Sequence, residues 1–246
     1  MPVLAPPHSE RYREASPEAG SPPPLEAGDH LSVEEFRRRY TAMPHTKKAE
    51  LLHGVVYMPS PVSLRRHSLP HADLIIWLGV YRIATPGLES GDNATTRLGP
   101  ESEPQPDALL FIPGALGGRS REAPDDYLEG GPELVAEVAS SSVSYDLHVK
   151  KAVYAEAGIP EYLVWRVGDQ AVDWFVLQDG RYAPLAPGED GVLRSTVFPG
   201  LWLDPAALTA RDMARVLAVL HHGLATPEHT RFQEHLTAAT GASDPP

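Results

Sequence analysis

Apolar residues fill both faces of the segment ELVAEVAS, residues 133–140, but the carboxylate of Glu137 lies near its middle. A strand without a polar face is typical of a sheet covered on both sides, so a buried strand is predicted here. Glutamate is almost never fully buried without a partner. Two interpretations follow: the strand is half exposed, or Glu137 meets a cation, a metal ion or a proton.

Short apolar runs alternate with segments of helical periodicity along the rest of the chain. Helical spacing of apolar residues predicts helices over residues 68–84 and 144–158, and Gly158 ends the second one. Strand patterns occur at residues 50–61 (two short strands), 106–113, 161–167, 171–177 and 181–185. Together these elements predict a mixed α/β sheet with helices on both faces.

The two ends of the chain differ from its middle in composition. Residues 1–30 are rich in Pro, Glu, Ser and Gly and are predicted to form a disordered tail. Ordered structure is expected from the helix that Ser32 and Glu35 begin with capping-box spacing. We expect one domain over residues 31–205, followed in residues 206–246 by a helix, which begins near Pro205 and ends near His222, and a polar tail.

Charge and cysteine content exclude some classes of function. The formal net charge of −12 argues against a nonspecific nucleic-acid coat. One window, residues 37–66, is nevertheless basic and could face phosphates, although a solvated surface is the more common explanation. Its basic residues are Arg37, Arg38, Arg39, Lys47, Lys48, Arg65 and Arg66. The chain has no cysteine, which excludes disulfides and Cys-based zinc sites.

Targeting signals are not evident in the sequence. There is no apolar region of the kind that secretory signals carry, and no apolar stretch is long enough to span a bilayer. A cytoplasmic protein without a membrane partner is therefore expected.

Asp107 and Glu137 are the first candidates for chemistry. They lie on consecutive predicted strands, which are usually neighbours in space. Two carboxylates a few ångströms apart repel unless a cation or a proton lies between them, and Mg²⁺ prefers such oxygen ligands. Lys150 lies in the helical stripe predicted to face the sheet and could reach both. Each residue also has a structural interpretation. Asp107 would be a turn or strand-end residue, Glu137 an exposed edge-strand residue and Lys150 a lysine with a solvated ammonium group.

The same residues carry a resemblance to a known family. The segments PD at 106–107, ELVAEVAS at 133–140 and DLHVKKAVYAEAGIPEYLVW at 146–165 resemble the PD-(D/E)XK nuclease superfamily. Within it, the chain resembles the Uma2 family of restriction-endonuclease-like proteins over residues 31–205. The resemblance implies an α/β fold, with a restriction-endonuclease-like mixed β-sheet core flanked by helices and a C-terminal β-hairpin and helix.

The resemblance also implies a magnesium site in which Asp107 and Glu137 match the acidic positions. The superfamily pattern expects a lysine two residues after Glu137, where this chain has Ala139; in the Uma2 pattern the lysine is on the next helix, at Lys150. Glu50 matches a further acid and could be an extra ligand. His67 matches a family histidine and is a candidate supporting residue.

Three functions remain open from the sequence. The first is a Mg²⁺-dependent endonuclease acting on DNA, with Mn²⁺ as a substitute, in which the carbonyl of Val138 is a further ligand and the basic window holds the DNA backbone. A homodimer is left open. The second is a catalytically inactive binding or scaffold protein with the nuclease fold. The third is a metal-free hydrolase that uses Asp107 and Glu137 as an acid–base pair.

Overall fold

The computed structural model describes residues 22–59 and 61–242, and a mixed sheet lies at its centre. The strands are β1 (Glu50–Leu52), β2 (Val55–Tyr57), β3 (Glu89–Asp92), β4 (Thr96–Arg97), β5 (Ala108–Phe111), β6 (Arg121–Glu122), β7 (Leu128–Glu129), β8 (Leu134–Ala139), β9 (Glu161–Arg166), β10 (Ala171–Gln178), β11 (Arg181–Pro184), β12 (Leu193–Arg194) and β13 (Trp202–Leu203). The central sheet has six strands in the order β11-β10-β9-β8-β5-β3.

Helices flank this sheet. The α-helices are α1 (Val33–Thr41), α2 (Leu69–Ala84), α3 (Val143–Tyr145), α4 (Lys151–Glu156), α5 (Pro205–Thr209), α6 (Met213–Leu224) and α7 (Pro227–Ala242). Two π-helical turns, Leu64–Ser68 and Asp146–Lys150, lead into α2 and α4, and a 3₁₀ turn spans Gly114–Leu116. Among the described residues, no helix is both long enough and apolar enough to cross a membrane.

The pairing of β8 explains the helical segment that follows it. β8 is antiparallel to β5 and parallel to β9. Two parallel strands cannot be joined by a tight turn, and the segment from α3 to α4 supplies the crossover. Gly158 then takes a left-handed conformation with φ of 69°, which ends the helix at little steric cost before β9. The crossover holds its buried side chains over β8.

The central sheet is covered on both faces, which confirms the predicted architecture. On one face, Trp77 and Tyr81 of α2 pack with Ala136 and Val138 of β8. On the other face, Val153 and Tyr154 of α4 pack with Val135 and Ala139 of β8. Successive side chains of a strand point to opposite faces, so Glu137 lies on the α4 side. β8 is fully buried, as the apolar pattern of ELVAEVAS predicts.

The C-terminal part differs from the prediction of one helix and a polar tail. A break at Ala210–Asp212 separates α5 from α6, because Arg211 takes a left-handed φ of 58° and the Asp212 carboxylate caps the new helix at Arg215 N. Most of the predicted polar tail forms α7, where Leu236 and His229 are buried. Only a few side chains of α7 are apolar, so the sequence has no apolar stripe from which this helix could be predicted. Residues 243–246 lie outside the described residues.

The N-terminal segment also differs in part from the prediction. Residues 1–21 of the predicted tail lie outside the described residues. Residues 22–30 pack against the hairpin formed by β1 and β2: Leu25 is buried, and the Gly28 N–H donates to the Val56 carbonyl at 2.8 Å. A single buried leucine and backbone hydrogen bonds thus order a segment whose composition indicates disorder.

Candidate functional site

Asp107 and Glu137 are neighbours across the β5–β8 ladder. Ala108 pairs with Ala136, so the residues just beyond each stand side by side on one face of the sheet. The Val138 N–H donates to Asp107 Oδ2 at 2.9 Å, and the Asp107 N–H lies 3.4 Å from Glu137 Oε2. Both side chains are buried. The structure therefore brings the two candidate carboxylates together on the α4 side.

Lys150 is the partner that the buried Glu137 requires. It ends the π-helical turn before α4 and is itself 2 % exposed. Its Nζ donates to Glu137 Oε1 at 2.8 Å and lies 2.9 Å from Glu50 Oε1. Of the two interpretations of ELVAEVAS, the one with a charged partner is confirmed, and the half-exposed strand is excluded.

Glu50 links the first hairpin to this group. Its Oε1 accepts the Gln105 N–H at 2.7 Å in addition to the Lys150 contact, and its Oε2 lies 3.5 Å from the Tyr145 hydroxyl. Gln105 is two residues before Asp107. Glu50 thus fixes the backbone that leads into Asp107 and, with Glu137, encloses the ammonium group of Lys150.

Three basic side chains, other than Lys150, contact Asp107. Lys48 Nζ lies 3.2 Å from Asp107 Oδ1, and His67 Nε2 lies 3.1 Å from Asp107 Oδ2. His71, one helical turn after His67, contacts the Asp107 carbonyl at 2.7 Å and the Asp92 carboxylate at 3.1 Å. Because His67 and His71 are four residues apart, both side chains reach Asp107. The contact of His71 with the Asp107 carbonyl holds the start of β5 against α2, and His67 contacts the Asp107 carboxylate directly.

The surroundings of the two carboxylates shift their pKa values in opposite directions. Burial alone would raise the pKa of Asp107, but the hydrogen bond from His67 and the charges of Lys48 and Lys150 outweigh it and hold that pKa below its ordinary value. For Glu137, burial dominates and raises the pKa to about 8; Lys150 opposes the rise, and the charge of Asp107 adds to it. Glu137 is therefore the carboxylate whose charge is least compensated.

The buried part of the cluster carries more negative than positive charge. The buried carboxylates of Glu50, Asp107, Glu137 and Asp146 lie in one cleft with the buried ammonium group of Lys150. Lys47, Lys48 and Arg66 line the more exposed part of the same cleft. Desolvation by burial lowers the pKa of Lys150, but the negative charges of Glu137, Glu50 and Asp146 raise it by more. The net shift is upward, so this lysine stays charged. Burial also raises the pKa of Asp146. A divalent cation would stabilise these carboxylates by compensating their excess negative charge.

The donor set suits Mg²⁺ better than a metal that needs many side-chain ligands. Among the described residues, no three His, Cys, Asp or Glu side chains have metal-binding spacing. Mg²⁺ needs only one or two carboxylates and keeps several waters. Asp107 and Glu137, side by side across the β5–β8 ladder, would supply those carboxylates. The Val138 N–H points to Asp107, and the carbonyl of a strand residue faces the same edge as its N–H, so the Val138 carbonyl also faces the β5 edge.

The carboxylates open onto a cleft of about 980 Å³. Lys47, Lys48 and Arg66 line this cleft, and Arg65 is exposed beside it. The remaining basic residues of the window are on α1 and are paired with acids. Arg37 pairs with Glu103, Arg38 with Glu35, and Arg39 with Glu35 and Asp29. The structure thus divides the basic window into a cleft-side group and an α1 group.

Several contacts of the site could not be recognised in the sequence. The Tyr154 hydroxyl donates to Glu137 Oε1 at 2.8 Å, and Asp146 accepts a hydrogen bond from the Ser142 hydroxyl at 2.6 Å. Asp146 and Tyr154 lie four residues before and after Lys150, in the same helical stripe, and both are buried. Burial alone does not say which polar atom they meet, because that depends on the π-helical turn.

Comparisons with known proteins agree with the fold. A solved structure titled a putative nuclease belonging to DUF820, from Anabaena variabilis ATCC 29413, matches with a TM-score of 0.51 and 13 % sequence identity. The match covers 73 % of this chain and 99 % of that chain. No curated protein matches. Residues 33–207 match the family Uma2, described as "Putative restriction endonuclease". Because that match spans most of the chain, the protein belongs to the Uma2 family, and the resemblance inferred from its motifs is confirmed.

Proposed function

We propose that this chain is a Mg²⁺-dependent endonuclease that hydrolyses phosphodiester bonds of DNA, with Mn²⁺ able to replace Mg²⁺. The observation that supports it most is the convergence of Asp107, Glu137 and Lys150, far apart along the chain, at the wall of one open cleft. Membership of a family described as restriction endonucleases supports the same activity and suggests DNA as the substrate.

Asp107 and Glu137 would hold the metal ion, with the Val138 carbonyl as a further ligand. When bound, the ion would supply a nucleophilic water of lowered pKa and neutralise charge on the phosphate. The hydrogen bond from His67 fixes the Asp107 carboxylate for this role. Glu50 is a weaker candidate ligand, because its Oε1 already contacts the Gln105 N–H and Lys150.

Lys150 would act on the substrate through its charge. Its ammonium lies beside Glu137, so a phosphate held at the carboxylates comes within reach of a fixed positive charge. Lys47, Lys48, Arg65 and Arg66 would contact the neighbouring phosphates from the cleft side. We assign the arginines of α1 a smaller share of the binding, because their charges are already paired.

Cleavage of supercoiled plasmid tests the proposal. The assay compares Mg²⁺, Mn²⁺ and EDTA for the wild type, for Glu137→Gln and for Lys150→Met, with Lys151→Met as the matched control. Lys151 adjoins Lys150 but its Nζ lies over the Phe175 ring, 3.4 Å from the centroid. Cleavage is expected only with a divalent ion, and losing Lys150 should reduce the rate on the order of a hundredfold or more. Lys151→Met should cleave like the wild type.

Two results would refute the proposal. Cleavage that continues in EDTA would favour a metal-free hydrolase. Binding of DNA without cleavage in any divalent ion would favour a nuclease-fold binding protein, whose carboxylates stay paired with Lys48 and Lys150.

A further inference from the structure

The two oxygens of the Glu137 carboxylate face different surroundings. Oε1 accepts hydrogen bonds from Lys150 Nζ and from the Tyr154 hydroxyl, each at 2.8 Å. Oε2 faces Asp107, and its contact with the Asp107 N–H is long, at 3.4 Å. Oε1 is therefore held by two strong donors, whereas Oε2 is available to bind a cation between the two carboxylates.

Tyr154 owes its position to α4 and to the ring beneath it. It lies four residues after Lys150, so both side chains project from the same face of the helical segment. It is fully buried, and its ring packs edge-on against Tyr162 with centroids 5.0 Å apart. Such packing leaves the ring little freedom to rotate, so the hydroxyl stays aimed at Glu137.

The Tyr154 hydroxyl is the donor in this contact. Its O–H donates to Glu137 Oε1, and a carboxylate oxygen accepts the hydrogen bond. Lys150 alone could hold Oε1, but it is shared with Glu50 and would have to move if it turned toward a substrate phosphate.

We propose that Tyr154 is a positioning residue for the metal site: it anchors Glu137 Oε1 so that Oε2 is presented to the metal ion beside Asp107. This inference rests on the proposed function. It concerns how this chain prepares its own ligand, and groups that orient metal ligands in this way commonly change metal affinity about 10- to 100-fold when removed.

Binding of Mn²⁺ to the metal-free protein tests this without DNA or turnover. Free Mn²⁺ is counted by its electron paramagnetic resonance signal as it is titrated into the wild type, Tyr154→Phe and Tyr162→Phe. Tyr162 is the matched control, because it is equally buried but its hydroxyl donates to the backbone carbonyl of Asp146 at 3.0 Å. Tyr154→Phe should bind Mn²⁺ on the order of tenfold more weakly, and Tyr162→Phe should bind it like the wild type.

Cleavage assays supply a second readout. In Tyr154→Phe, the Mg²⁺ concentration for half-maximal cleavage should rise, while the rate at saturating Mg²⁺ is kept. A general loss of structure would instead lower the saturated rate. If Tyr154→Phe is unstable, titrations in sucrose, which favours the folded state, retain the comparison.

The outcomes separate this inference from the proposed function. Equal Mn²⁺ affinity in Tyr154→Phe and the wild type, or an equal loss in Tyr162→Phe, overturns the role of Tyr154 and leaves the nuclease proposal intact. A wild type that binds no Mn²⁺, or binding that survives Glu137→Gln, overturns the proposed metal site and the inference with it.

Discussion

Asp107 and Glu137 are about equally buried, yet their partners shift their pKa values in opposite directions. Asp107 receives hydrogen bonds from the Val138 N–H, from Lys48 and from His67. Glu137 shares Lys150 with Glu50 and lies close to the charge of Asp107. A pair of this kind, with one carboxylate charged and the other reluctant to ionise, is favourable for capturing a divalent ion, because the ion removes the repulsion between them.

The first prediction is that the metal-free protein loses stability as the pH rises. Burial raises the pKa of Glu137 from 4.5 to about 8, so between those values the folded state binds more protons than the unfolded state. The free energy of unfolding must then fall as the pH rises through that window. Thermal melting in EDTA should show the fall, and Glu137→Gln should make it shallower. An unchanged slope in the variant would show that Glu137 is not the titrating group.

The second prediction concerns Lys150 as a structural cation. Removing it leaves the carboxylates of Glu50 and Glu137 buried without their shared partner. Breaking a buried pair in this way typically costs about 3–5 kcal/mol. Lys150→Met should therefore lower the free energy of unfolding by that order in urea titrations at pH 8 in EDTA. Lys151→Met is the control; a loss no larger than in that variant would mean that water replaces the lysine.

The arginines of the basic window belong to two different elements, and this gives the third prediction. Arg65 and Arg66 are exposed on the π-helical turn beside the cleft, whereas Arg38 and Arg39 on α1 pair with Glu35. Removing the side chain that binds one phosphate reduces the slope of log affinity against log salt by about 1. The double change Arg65→Gln with Arg66→Gln should lower that slope by about 2.

Fluorescence anisotropy with a labelled DNA duplex, in Ca²⁺ to prevent cleavage, measures this slope. The double change Arg38→Gln with Arg39→Gln removes the same charge from α1 and should have the smaller effect. The opposite ranking would place the DNA on the α1 side of the molecule.

The regular elements were predictable because their apolar patterns are strong. The segment ELVAEVAS predicts a buried strand, and the stripe around Lys150 predicts that it faces the sheet; both are observed. The turn geometry was not predictable. Two π-helical turns place His67 and Lys150, and the single left-handed residue Arg211 divides a predicted helix into two. Such features depend on tertiary packing, which local periodicity does not record.

The site itself was predictable only in outline. Asp107, Glu137 and Lys150 could be grouped because consecutive strands lie side by side. The hydrogen bond from Tyr154 to Glu137 and the contact of Lys48 with Asp107 join residues 17 and 59 positions apart, respectively. Neither spacing has a periodic signature in the sequence.

Asp107, Glu137 and Lys150 meet at a single cleft in the described part of each chain, and the fourth prediction follows from this. A single site cuts one strand in each encounter, so nicked circles should precede linear plasmid in a time course on agarose gels. A homodimer would bring two sites to the two strands. Linear product that appears without a nicked intermediate, together with a dimer in sedimentation, would show that the chain works as a pair.

The most direct measurement is anomalous diffraction from crystals grown with Mn²⁺. We expect a peak bound to carboxylate oxygens of both Asp107 and Glu137, at the roughly 2.0–2.2 Å typical of small divalent ions, with Lys150 still beside Glu137. Crystals of protein that is active in Mn²⁺, but whose anomalous peak lies elsewhere or is absent from these two carboxylates, would contradict the account.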